Sequence, residues 1–414
     1  MSPRSGPGSA ATEPLAAAKA KALAEPGGSQ HEELQIRRLQ QVARSRPQQA
    51  EAWVELGKAW VIEARRSSDP GFYWNAEACA ELALAIDGDS RPALNLRGLV
   101  LLNGHRFRES EALTRSILDR DSDDAVAWGT LSDARLELGD LEGASEAAER
   151  MLSIKPNLPS YSRLSYLRWL RGDEAGALES ARLAIDAGGG ARGTEALAWV
   201  LVQTAQLFWQ RGDYPGARAG FEQALAVMPE YPPACVGLGK LALAEQQATR
   251  AVTWLKLAFS HSALAETAWL LSDALRLTGD SAAAADWLSK AEALGQHDPR
   301  TLSLLYSVQN RNAARALELA EHELEVRADI YTLDALAWAQ FRLGRYSEAR
   351  QSIDRARRWG TRDARLLFHQ GAIYRAVGEL ARGREWIATA LRLNPYFDVT
   401  EAAEARALLG RAPS

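Results

Sequence analysis

Residues 198–229 read AWVLVQTAQLFWQRGDYPGARAGFEQALAVMP, and this stretch limits what the whole chain can become. Two helical patterns meet at Arg211-Gly212-Asp213-Tyr214, and the second ends at Pro229. Proline has no N–H to donate and disfavours helix in the residue before it. Ala205 and Ala217 are small where the two helices approach; Phe221 follows Ala217 by four residues and Ala224 follows Phe221 by three. Such a hairpin has an apolar stripe on each helix and no interior of its own. It becomes stable only when stacked on similar hairpins.

The rest of the chain supplies them. A small or apolar residue recurs near the middle of each first helix: Gly57, Gly98, Ser132, Ser165, Ala205, Gly239, Ser272, Leu304, Ala337 and Gly371. Successive spacings are 32 to 34, apart from 41 after Gly57 and 40 after Ser165. The first exception places extra residues around 65–75, and the second places a glycine-rich run at 188–193. Gly139-Asp140, Gly172-Asp173, Gly212-Asp213 and Gly279-Asp280 follow first helices, where glycine supplies the positive φ of a helix C-terminus. Small residues such as Ala144, Ala177, Ala217 and Ala251 open the second helices, and Pro156, Pro229 and Pro395 close repeats.

This pattern resembles the tetratricopeptide repeat, whose period is 34 residues. Trp53, Leu56, Gly57 and Trp60 match the family positions in the first repeat, and Trp128, Leu131, Ala144, Ala148 and Pro156 in the third. Phe208, Tyr214, Ala217, Phe221, Ala224 and Pro229 match in the fifth; Gly371, Tyr374, Ile387, Ala390 and Pro395 match in the tenth. The eighth repeat, residues 298–327, departs most, with no turn glycine and a short first helix. The resemblance covers roughly residues 50–395. It implies an all-α solenoid: a right-handed superhelix of about ten helix–turn–helix repeats with terminal capping helices, its first helices lining the concave side.

The map that follows has five parts. Residues 1–31, rich in Pro and Gly, are expected to form a disordered tail, with a frayed helix at most. A capping helix and repeats 1–4 occupy 32–187, a glycine-rich junction 188–193, repeats 5–10 residues 194–395, and a capping helix and tail 396–414. Thr400 is placed as an N-cap and Glu401 at the positive end of the last helix dipole.

Composition excludes several classes. The formal net charge of −4 lacks the basic excess that phosphate neutralisation requires, so no nucleic acid is expected. Cys79 and Cys235 can build neither a disulfide framework nor a zinc site, and both read as buried hydrophobes. No apolar run is long enough to span a bilayer, and the N-terminus lacks a signal-peptide core. That gives a cytoplasmic protein, or a periplasmic or exported one if a signal has been removed.

Helical spacing then selects the first-helix residues facing the concave side. These are Asn95 and Asn103 in repeat 2; Tyr166 and Trp169 in repeat 4; Trp199, Gln203, Gln206 and Trp209 in repeat 5; Trp269, Asp273 and Arg276 in repeat 7; Tyr331, Trp338 and Phe341 in repeat 9; and His369 in repeat 10. Aromatics at these positions have two readings. They belong to the core if the register slips by one residue, or they anchor a partner in a groove with polar neighbours orienting it. The Lys and Asn set with which some tetratricopeptide proteins grip a carboxylate is missing: Lys58 and Lys240 stand alone.

Catalytic patterns are missing as well. Gly237-Leu238-Gly239-Lys240 is too short for a phosphate loop, Glu321-His322-Glu323 lacks a second helical histidine, and no carboxylates pair in a pocket. The sequence therefore describes a non-catalytic interaction scaffold or adaptor, without cofactor or metal, that binds a partner peptide or helix in its groove. The alternative is a small-molecule or glycan sensor using groove tryptophans.

Overall fold

The computed structural model describes residues 12–26, 31–189 and 194–410. Residues 190–193 of the glycine-rich junction, and much of the expected N-terminal tail, lie outside them. Among the described residues every regular element is helical. Helices α1 (Thr12–Ala22) and α2 (His31–Ser45) precede ten pairs. The pairs are α3 (Ala50–Ser67) with α4 (Phe72–Ile86), α5 (Arg91–Asn103) with α6 (Phe107–Leu118), α7 (Ala125–Glu137) with α8 (Leu141–Ile154), and α9 (Leu158–Leu170) with α10 (Glu174–Gly188). Next come α11 (Glu195–Gln210) with α12 (Tyr214–Val227), α13 (Pro232–Ala244) with α14 (Ala248–His261), and α15 (Ala265–Leu277) with α16 (Ser281–Gly295). The last are α17 (Pro299–Val308) with α18 (Ala313–Val326), α19 (Ile330–Arg342) with α20 (Tyr346–Ala356), and α21 (Ala364–Ala376) with α22 (Leu380–Leu393), followed by α23 (Glu401–Gly410).

The Gly-Asp turns have a two-part cause. Gly139, Gly172, Gly212 and Gly279 all have positive φ. The aspartate after each then caps the second helix, its side chain accepting from Gly143, Gly176, Gly216 and Ala283 N–H at 2.9, 2.9, 3.0 and 3.0 Å. Repeat 8 makes its turn differently, with Asn310 and Asn312 at φ +51° and +49°. Asparagine tolerates this region better than other side chains. Its register also corrects the sequence reading. Ser303, not Leu304, takes the small mid-helix position and donates to Ala316 O at 2.7 Å, as Ser272 does to Ala284 O at 2.7 Å.

The chain divides into two compact units: Met1–Arg135 with Glu146–Ile154, and Leu136–Ser145 with Lys155–Ser414. In the first, Trp53, Leu56, Trp60, Cys79 and Leu96 form the core. Residues 12–26 do not behave as the disordered tail expected of them. Ala18 and Ala22 are buried, Trp60 Nε1 donates to Ala22 O at 3.0 Å, and Asn75 donates to Lys21 O at 2.8 Å. The run of alanines in α1 gives a flat, small-residue face that a neighbouring helix pair can cover.

The second unit closes on itself. The turn after α7 meets the linker after α18, the turn after α9 meets the linker after α20, and the turn after α11 meets the linker after α22. Ala328 N donates to Glu137 O at 2.8 Å, Thr361 Oγ1 to Leu170 O at 2.5 Å, and Asn394 Nδ2 to Trp209 O at 2.8 Å. Tyr214 donates to Asn394 Oδ1 at 2.7 Å and Gln210 to Asp363 at 2.9 Å. The turn glycines fit this seam as well as the turn. A Cβ on Gly139, Gly172 or Gly212 would stand 2.6, 2.7 or 2.7 Å from the carbonyl oxygen of Ala328, Gly360 or Leu393. Gly279, Gly344 and Gly378 have the same positive φ and nothing within 4 Å.

Candidate functional site

The seam turns the inner face of the second unit into a lumen. The inner helices α11, α13, α15, α17, α19 and α21 run around it, and contacts of Gln210, Trp209 and Tyr214 with Asp363 and Asn394 bring the last of them back to the first. A cavity of about 460 Å³ lies inside. Trp209 and Trp269 form indole walls, and Gln206, Thr301, Leu304 and Tyr331 add half-buried surface. The linker residues Tyr396, Phe397, Asp398 and Val399 complete the wall.

Four cations and four carboxylates line the cavity: Lys240, Arg300, Arg365 and Arg406 against Glu266, Asp334, Asp363 and Asp398. Most pairs link one inner element to the next. Lys240 meets Glu266 at 2.6 Å and Arg365 meets Asp398 at 2.9 Å, while Arg300 meets the N-cap Asp329 at 3.0 Å. Lys240 holds the Glu266 carboxyl below its usual range. Donors are left over. Lys240 commits its ammonium to one carboxylate and Arg300 its guanidinium to one, although an ammonium carries three donors and a guanidinium five.

Behind this wall sits a buried charged cluster. His369 Nδ1 lies 2.7 Å from Asp334 and Nε2 2.8 Å from Glu401, with all three side chains excluded from solvent. Burial lowers the His369 pKa, but the two carboxylates more than offset it and hold the value up at about 9. The ring stacks on Trp338 with centroids 4.0 Å apart. Because Glu401 belongs to α23, this cluster fastens the last helix onto α19 and α21. Asp273 is also buried; burial, then the nearby Asp398 carboxylate, push its pKa up to about 6.

The residues singled out from the sequence fall in several places. Gln206, Trp209, Trp269 and Tyr331 come together in the lumen. Tyr166 and Tyr331 line a second, smaller cavity of about 150 Å³ along the seam, with Gly139 and Ala328. Trp169 is buried beside Tyr166, their rings 5.9 Å apart. Trp338 and His369 are fully buried, and Phe341 stacks on Trp338 at 4.6 Å. Those three belong to the packed wall rather than to an open groove. Asp273 pairs with the exposed Arg276 at 3.0 Å. Gln203 is half-buried and lines neither cavity, and Trp199 is 44% exposed and lines neither. Asn95 and Asn103 lie in the first unit, where Asn95 donates to Asp124 at 2.8 Å and Asn103 to Leu99 O at 2.8 Å.

Sequence reasoning missed Arg300, Thr301, Leu304, Lys240, Glu266, Asp363 and Arg365. With Ser303 in the small position, Arg300, Thr301 and Leu304 fall at the same offsets that Trp269, Leu270 and Asp273 hold around Ser272. The signal was present and one residue out of register.

Two models of the tetratricopeptide repeat match the chain, one at residues 95–159 and 335–396 and the other at 208–263. No curated protein sequence matches it. Among solved structures, the human IFIT1 dimer with m7Gppp-AAAA is similar at 12% identity and a TM-score of 0.48, covering 92% of this chain and 94% of that one. PilW, a type IV pilus biogenesis factor, is similar at 19% identity and a TM-score of 0.42, covering 48% and 91%. A tetratricopeptide repeat protein from Parabacteroides merdae gives 17% identity and 0.43, covering 60% and 98%. Among the described residues, no helix is long and apolar enough to cross a membrane.

Proposed function

We propose that this tetratricopeptide-repeat protein is a non-catalytic scaffold whose second unit holds an extended segment of a partner polypeptide in its lumen. The observation that carries the reading is the cavity itself, with half-buried Leu304 and Tyr331 on its wall, balanced charge and spare hydrogen-bond donors. An extended chain offers a carbonyl acceptor at every residue and side chains for the apolar walls. A helix suits the spare donors less well, because its carbonyls are already committed to its own hydrogen bonds. A polyanion also fits poorly, because the four lining cations are matched by four carboxylates. A sugar or other ring would stack on an open indole face, whereas Trp209 and Trp269 are 7% and 5% exposed.

The test is a selection of linear peptides displayed from a random library, followed by titration of the enriched sequences. Thr301→Trp and Gln206→Trp fill the lumen by enlarging two half-buried lining residues while keeping Trp209 and Trp269 in place. Both should abolish binding while leaving the melting curve near the parent's. Enriched peptides that bind the filled variants as well as the parent would refute the reading.

A further inference from the structure

We infer that the lumen admits its polypeptide by a free end, threaded along the axis, rather than by lateral capture of an internal segment. This rests on the peptide reading above. An open solenoid can wrap sideways around any stretch of a partner. The second unit cannot do so while its seam is shut. Three successive turns are bonded to linkers far along the chain: Glu137 to Ala328, Leu170 to Thr361, and Trp209 to Asn394. The approach is close enough that a single added carbon at Gly139, Gly172 or Gly212 would collide with backbone. Thr361 and Asn394 are fully buried, so these bonds are shielded from competing water.

A doubled-back loop entering from the end needs two strands about 4.7–4.9 Å apart, each with its side chains, inside the same cavity of about 460 Å³, and a single strand needs half of that. The exposed lining residues, Gln246, Glu266, Leu277, Tyr396 and Arg406, mark where the cavity reaches solvent and a chain end can enter. The partner is therefore a protein with an unstructured terminus, or a short free peptide, and not one that presents a tethered internal loop.

The experiment uses a linear peptide enriched from the random library, prepared in two forms. One has a free end; the other is fused at both ends to folded domains too wide for the lumen. Wild-type protein is expected to bind the first and lose the second, and equal binding of both would overturn threading while leaving the peptide reading intact. A second arm locks the seam with Glu174→Cys and Arg362→Cys, which replace an ion pair of 3.3 Å between α10 and the linker after α20 and leave the turn glycines in place. A short, cleavable bis-maleimide bridges the two thiols. Cys79 and Cys235 are buried, and burial pushes both thiols up, so neither competes for the bridge. The bridged variant should bind the free-ended peptide at the same rate as the unbridged one. Loss of binding on bridging, recovered when the bridge is cleaved, would show that the seam must open and would overturn the proposal. The first arm needs no substitution, so it stands even if the locked variant does not fold. If no library peptide binds at all, the peptide reading falls and threading falls with it.

Discussion

Gly212→Ala isolates the seam from everything else a turn glycine does. Gly212 has φ +73° and Gly344 has φ +80°, so alanine at either position pays for left-handed backbone, about 1–2 kcal/mol. Only Gly212 has a neighbour in the way: its Cβ would stand 2.7 Å from Leu393 O, and nothing lies within 4 Å of the Cβ at Gly344. The carbonyl belongs to the last turn of α22, one residue before Asn394. Moving it disturbs the bonds from Asn394 to Trp209 O and from Tyr214 to Asn394, each contributing about 1 kcal/mol. Gly212→Ala should therefore cost about 3–4 kcal/mol and Gly344→Ala about 1–2 kcal/mol. Urea unfolding followed by circular dichroism gives the two losses. Hydrogen exchange should in addition show faster exchange across residues 393–397 for Gly212→Ala alone. Equal losses at the two sites, with unchanged exchange there, would mean that the seam does not exist in solution.

Other consequences follow from packing and charge. His369 has a folded pKa of about 9, above its usual 6.5, so its contribution is complete below pH 6.5 and is lost as pH rises through 9. His369→Gln leaves Asp334 without its cation and Glu401 with Arg365 alone, and should cost about 3–5 kcal/mol at pH 6; the gap from wild type, read by urea titration, should narrow toward pH 9. Asp273 also has a raised folded pKa, about 6 against the usual 3.8, so the wild type loses stability as pH climbs from 3.8 through 6. Asp273→Asn should remove that loss, and a variant with the wild-type pH profile would count against the assignment. Ala217 is fully buried on α12, and Ala217→Leu should overpack its contact with α11 at a cost of about 1–3 kcal/mol, visible in the same assay.

The repeats were legible because their determinants are local. A glycine, an aspartate three residues before a helical N–H, and small residues where two helices cross all recur at one spacing, and each acts within its own hairpin. Repeat 8 slipped because asparagine at positions 310 and 312 takes over the left-handed turn, removing the glycine that fixed the register elsewhere. The helix in residues 12–22 was obscured by flanking Pro and Gly, whose local preferences gave no sign that Trp60 and Asn75 would hold it. The candidate site was less legible for a longer-range reason. Whether an inward-facing tryptophan meets solvent or protein depends on how the stack closes. The closing bonds join residues such as Trp209 and Asn394, 185 positions apart. Trp338 and Gln206 each follow the small mid-helix residue of their helix, yet the cluster of His369 and Phe341 buries the first and the cavity borders the second. Charge behaved similarly: Lys240, isolated in the sequence, finds Glu266 on the next inner helix.

The account stands or falls on where a bound peptide lies. Benzoylphenylalanine in place of Leu277, an exposed lining residue, puts a photoreactive group at the mouth of the lumen without filling it, and in place of Trp199 it puts the same group outside either cavity. Irradiation with an enriched linear peptide should give a covalent adduct from the first position and none from the second. Adducts from position 199 alone would move the binding surface outside the lumen and contradict the account.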